Sequence, residues 1–222
     1  MGWPWIALLG VLASDGEPGP LQLDPPQLLA RSEGAPSAAH LDASHPTHEQ
    51  PEPSWGVPLA HSAGLMVGMR LGAAWLWPEP FARTDVSGWL ENYQTAFTSA
   101  PYWDGSQRAF EWDGDAWWIN VVGHGLFGSE LHYRTRRCGH SVLTALAFTT
   151  AASAVWEYAF EANEVRPSAL DLWFTPLSGL VLGEARYLMY REAGKLRGGL
   201  RHVVRGVLDP LGELERGLGA PC

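Results

Sequence analysis

The sequence predicts an all-α fold, a compact bundle of about five to six helices with glycine-rich packing faces behind a disordered N-terminal tail. Three observations carry that reading. From Trp55 onward apolar residues recur without the strict alternation that a half-buried strand would show. Glycines repeat four apart, as in Gly64, Gly68 and Gly72, which places them on one helix face. Firm stops, above all Trp77-Pro78-Glu79-Pro80, punctuate the helical stretches.

The elements follow in chain order. Residues 1–13 contain the apolar run Ile6 to Ala13 and read as a signal peptide or a plain apolar N-terminus, with Val11-Leu12-Ala13 suited to a signal peptidase. Residues 14–54 are rich in Pro, Ser, Ala and His, have no hydrophobic period, and read as a disordered linker. The helical domain spans 55–219. Its first helix covers 57–77, with His61 near the start and Arg70 interrupting the apolar run. Interior glycine costs a water-exposed helix about 1 kcal/mol each, so this stripe is expected to face another backbone closely. Residues 81–100 read as a short helix plus loop, and 101–115 as loop, with Asp104-Gly105 and Asp113-Gly114 as turn signals. Further helices are expected over about 116–136, 141–162, 168–191 and 195–216.

Composition narrows the class. The 222 residues suffice for one domain and a tail. Charged residues make up 18%, below the roughly 25% of ordinary soluble domains. There are 12 Trp against 7 Phe and 6 Tyr, and Trp collects at interfaces, including the membrane–water boundary. The net charge of −9 is uneven. Residues 1–55 hold seven acids and one base, Arg31, so the folded part is nearly balanced and offers no field for nucleic acid. Basic residues bunch late, at Arg186, Arg191, Lys195, Arg197, Arg201 and Arg205. Such a cluster suits either a solvated helix face or anionic lipid headgroups. Cys138 and Cys222 lack CxxC spacing, which excludes a zinc ribbon or redox motif. Their spacing leaves a disulfide between them open without supporting one.

One set of polar residues lies on otherwise apolar helices. Asn120 and His124 are four apart, as are Glu157 and Glu161, and Asp171 and Thr175, whose stripe continues through Gly179 and Gly183. Two carboxylates on one face need a cation, a proton or an arginine nearby. His124 is thus a candidate general base or metal ligand, Glu157 and Glu161 candidate ligands or acid–base partners, and Asp171 the group that orients His124. The structural alternatives are a satisfied core histidine, ion pairs of Glu157 and Glu161 with Arg134, Arg136, Arg137 or Arg166, and a capping box made by Ser168-x-x-Asp171. No cofactor motif is present: there is no HExxH, no GxSxG and no Glu-x-x-His.

The stretch Asn120-Val121-Val122-Gly123-His124-Gly125-Leu126-Phe127-Gly128, with Trp156-Glu157-Tyr158 and Glu161, Pro167-Ser168-Ala169-Leu170-Asp171, Thr175-Pro176, Gly179 and Gly183-Glu184, resembles a bacterial family known as domain of unknown function 3943. The likeness covers about residues 56–219. His124-Gly125 stands where that family has His-Pro, and Leu170-Asp171 where it has Asn-Asp. The order of His, Glu and Ser-x-x-Asp is also similar, more distantly, to VanZ-like membrane proteins. The resemblance implies an uncharacterised, membrane-associated cell-envelope protein, in the periplasm or outer membrane after export or else in the inner membrane. Lipid or an envelope protein would be its partner. It adds Asn120, Trp156, Ser168 and Glu184 as candidate substrate- or partner-binding residues. The alternative it leaves open is an envelope enzyme using His124, Glu157, Glu161 and Asp171 on a lipid-linked substrate.

Overall fold

The computed structural model describes residues 52–83, 85–217, 219 and 222. The expected leader over 1–13 and almost all of the expected linker over 14–54 lie outside them. The chain forms α1 (Gly56–Leu76), α2 (Pro78–Phe81), α3 (Val86–Thr98), α4 (Gly125–Arg137), α5 (Val142–Val155), α6 (Ala169–Ser178), α7 (Glu184–Ala193), α8 (Gly199–Leu208) and α9 (Pro210–Gly217). Among the described residues there is no strand, only an isolated bridge between Tyr102 and Ser168. Three π-helical turns join or extend these helices: Ile119–His124 leads into α4, Trp156–Glu161 continues α5, and Gly179–Gly183 links α6 to α7. The helix expected over 195–216 is two, because Asp209-Pro210 breaks it.

Polar caps set the helix starts. Asp85 accepts from the Ser87 amide at the head of α3, and Ser141 from the Thr144 amide at the head of α5. Ser168 caps α6 by accepting from the Asp171 amide at 3.1 Å. The capping box is only half made, however. The Ser168 amide donates to Glu157 Oε2 at 2.7 Å, which leaves the Asp171 carboxylate free to face elsewhere.

Packing centres on α4, which lies against α5, α6, α7 and the third π turn. Its approach to α6 is a backbone contact. Gly128 faces the Thr175 carbonyl, Gly179 faces Gly128, and Gly183 faces Ser129 and His132. The glycines expected to do this work in α1 do not: among the described residues no atom lies within 4 Å of a side chain built at Gly64, Gly68 or Gly72. A glycine stripe marks a low face, but whether a second helix lies on it depends on the connections. The disulfide that spacing did not support is also present, between Cys138 and Cys222 with their Cα atoms 4.7 Å apart.

The interior is unusually polar. One apolar cluster, Met66, Phe127, Leu131, Ala152 and Trp156, is buried. Asn120, His124, Arg134, Thr149, Glu157, Asp171 and Asp209 are buried as well. Large apolar side chains face outward instead, with Trp75 80%, Leu143 76% and Val207 76% exposed. That reverses the usual distribution, in which charged groups are almost never fully buried. Among the described residues no helix is long and apolar enough to cross a membrane.

Candidate metal centre

Two of the three π turns meet at the start of α6. His124 is the last residue of the first turn, Glu157 the second residue of the second, and Asp171 sits in the first turn of α6. A π turn inserts one extra residue and so rotates the side chains beyond it by about 100° relative to an unbroken α-helix. One ligand atom from each of His124, Glu157 and Asp171 falls within 4.8 Å of the others. All three side chains are buried.

Each is held by a neighbour. His124 Nδ1 and Thr175 Oγ1 share a hydrogen bond of 3.1 Å, and Nε2 lies 3.5 Å from Asp171 Oδ2. With the proton on Nδ1, the Nε2 lone pair faces the carboxylates. Ser168 Oγ donates to Asp113 Oδ2 at 2.8 Å, and Asn120 Nδ2 donates to Asp113 Oδ1 at 2.7 Å and to the Phe110 carbonyl at 2.9 Å. Phe110 takes φ 64°, the left-handed region, to present that carbonyl. Ser153 Oγ donates to the Asp171 carbonyl. Two carboxylate oxygens, Glu157 Oε1 and Asp171 Oδ1, are buried with no hydrogen-bond donor. A buried acceptor left unpaired costs about 1–3 kcal/mol.

The electrostatics match. Burial, reinforced by the Asp113 charge, pushes the Asp171 carboxyl up to about 9. Burial and then the Glu161 charge push Glu157 well above the usual carboxylate range. Burial and the Asp115 charge push Glu161 up to about 8, and burial pulls His124 down to about 4. Near neutral pH Asp171 and Glu161 therefore hold their protons and the His124 imidazole is neutral. Arg70 offsets part of the charge at Glu161, but among the described residues no arginine forms an ion pair with Glu157, Glu161 or Asp171. Arg134 pairs with Glu130, Asp209 and Glu215, Arg136 with Glu184, and Arg137 with Asp209, while Arg166 donates to the Ala100 carbonyl.

The structure thus brings together His124, Glu157, Asp171, Ser168 and Asn120. Glu161 couples to them by charge but is not among the three converging ligands. Trp156 is a core residue, in ring contact with Phe127 and Phe160. Glu184 lies elsewhere, bonded to His132 Nε2 at 3.1 Å and bidentate to Arg136 at 2.8 and 3.1 Å. Asp113, read from sequence only as a turn residue, is the carboxylate that ties Ser168 to Asn120. The spacing Asp113-Gly114-Asp115 just ahead of a helix is the one sequence signal that could have marked it.

One imidazole nitrogen and two carboxylates spread over this distance suit a divalent ion bonding each at about 2.0–2.4 Å. The mixed N/O set favours zinc, iron or manganese over calcium or copper. The supporting hydrogen bonds from Thr175 and the Ser168 amide are of the kind that orient metal ligands.

Residues 109–211 match the model of a family described as Domain of unknown function (DUF3943), a span that takes in every residue of the cluster. No curated protein and no solved structure matches the chain.

Proposed function

We propose, from the premise that over residues 109–211 this chain belongs to the DUF3943 family, that its bundle is built around a divalent metal ion held by His124, Glu157 and Asp171. The observation that carries the reading is the pair of donorless buried oxygens, Glu157 Oε1 and Asp171 Oδ1, beside an imidazole in the same cluster. A cation satisfies both oxygens at once and releases the protons that burial imposes. The ion joins the head of α4, the end of α5 and the head of α6.

Metal analysis of protein reconstituted with Zn²⁺, Mn²⁺ or Fe²⁺ and then desalted is expected to find one ion per chain. Glu157→Gln and His124→Ala, checked for helicity by circular dichroism, are expected to lose it. Glu184→Gln, which lies outside the cluster, is expected to keep it. Folded wild-type protein that retains none of the three metals would sink this reading.

The reversed packing favours a second element of the function: a bundle seated against lipid in the cell envelope rather than crossing it. Exposed Leu71, Trp75, Leu126, Leu143, Val181 and Leu182 would each waste apolar area in water. The Cys138–Cys222 bond supports a location outside the reducing cytosol. Fractionation of the host is expected to leave the protein in the membrane pellet. Full recovery in the soluble fraction would remove the lipid reading and leave the metal reading standing.

A further inference from the structure

At the opposite end of α4 from His124, a cavity of about 870 Å³ opens between α4, α7, α8 and α9. Its lining holds Arg136, Arg137, Arg191, Lys195, Arg201, Arg205 and Arg216, against a single acidic side chain, Glu192, and the terminal residue Cys222. Some of these charges are satisfied. Arg136 pairs with Glu184, Arg137 with Asp209, and Lys195 with Glu192. Arg191, Arg201 and Arg205 have no carboxylate partner among the described residues.

Two tyrosines hold this charge in place. Arg137 and Arg205 lie over the Tyr190 ring, at 3.8 and 4.6 Å from its centre, and Arg136 and Arg191 over the Tyr187 ring, at 4.3 and 5.8 Å. Ring stacking occupies the faces of a guanidinium and leaves its N–H edges for an anion. Arg205 Nε is buried without any hydrogen-bond partner. Cations gathered this closely repel one another until an anion joins them. The rim adds a second feature. On α8, Leu200, Val203 and Val207 form an exposed stripe at helical spacing, while Arg201 and Arg205 of the same helix line the cavity. A helix with an apolar face beside a basic one is suited to lie in a lipid surface.

We propose that this cavity binds a phosphate group carrying more than one negative charge, through arginine N–H forks stacked on Tyr187 and Tyr190. Guanidinium groups recognise phosphate bidentately. The phosphate belongs either to a lipid headgroup or to a free phosphate compound. The site does not depend on the metal centre.

The experiment uses the full chain. Calorimetric titration with pyrophosphate probes the free anion. Flotation with phosphatidylcholine vesicles, with and without phosphatidic acid, probes the headgroup. Binding in either arm is expected, and Arg191→Gln with Arg201→Gln is expected to weaken it by about tenfold or more. Both residues are exposed and unpaired, so the double variant keeps its fold. Arg197→Gln removes one positive charge outside the lining and is expected to bind as wild type. Pyrophosphate binding without flotation assigns a free phosphate ligand. Flotation that requires phosphatidic acid and is reversed by pyrophosphate assigns a headgroup. Absence of binding in both arms, or equal loss in Arg197→Gln and the double variant, overturns the proposal.

Discussion

Gly128→Ala is expected to unfold the bundle or bring it close to unfolding. A methyl carbon at Gly128 would sit 2.1 Å from the Thr175 carbonyl oxygen, 2.9 Å from Ser178 Oγ and 3.0 Å from the Thr175 carbonyl carbon. Across the contact, one at Gly179 would sit 2.7 Å from the Gly128 carbonyl oxygen. All but Ser178 Oγ are backbone atoms, so no rotamer change makes room and α4 must separate from α6. Overpacking a well-filled site costs about 1–3 kcal/mol, and this clash belongs at or beyond the top of that range. Because α6 carries Asp171 and Thr175, any surviving fold would also lose the geometry of the proposed metal site. Gly68→Ala provides the contrast. Among the described residues nothing lies within 4 Å of that site, so the gain in helix propensity should stabilise by up to about 1 kcal/mol. Denaturant melts of both variants test the pair. A Gly128→Ala protein as stable as wild type would show that the two helices do not meet on glycine.

Asp209→Ala is expected to cost about 3–5 kcal/mol, the usual penalty for leaving buried charge unpaired. Asp209 is fully buried. It accepts from Arg134 at 2.8 Å, from Arg137 at 3.0 Å and from the Gly212 amide at 2.9 Å, where it caps α9. Removing it leaves Arg137 with no carboxylate partner among the described residues and takes one of three from Arg134, which keeps Glu130 and Glu215. The same network makes the fold sensitive to acid. Burial alone would raise the Glu130 carboxyl, but the His61 hydrogen bond and the Arg186 and Arg134 guanidiniums outweigh it and hold the group down at about 2. A folded value below the ordinary 4.5 stabilises at pH above about 4.5, and the gain is lost as pH falls toward 2. A depression of that size is worth about 3 kcal/mol. Acid titration of wild type should therefore unfold it across that window, and Glu130→Gln should flatten the dependence there. An unchanged acid profile in Glu130→Gln would move the acid lability to other groups.

The parts of the fold legible in the sequence were those set by local rules. The apolar run over 141–162 placed α5 and its π extension within a residue or two. Ser168 after Pro167 placed α6. Four-residue spacing put Asp171, Thr175 and Gly179 on one stripe, and the structure sets that stripe against His124 and Gly128. What depended on the choice of partner was hidden. Gly64, Gly68 and Gly72 share the pattern of the glycines that pack but meet nothing. Glu184 resembles Glu157 in sequence, yet Arg136 claims it, because α7 passes the C-terminal turn of α4. The π turns leave no composition signal, and they are what bring His124 and Glu157 into one cluster. Asp113 joins only through Asn120 and Ser168, which are near neighbours in space and 48 positions apart in the chain.

The bond between Cys138 and Cys222 has a topological result. Separated by 84 positions, the two cysteines tie the end of α4 to the end of the chain, so α5 through α9 lie on one closed covalent ring. A ring has no loose end to peel. A protease that cuts it once, in any loop between the cysteines, yields a nicked molecule still in a single piece, and the two fragments part only when a reductant opens the disulfide.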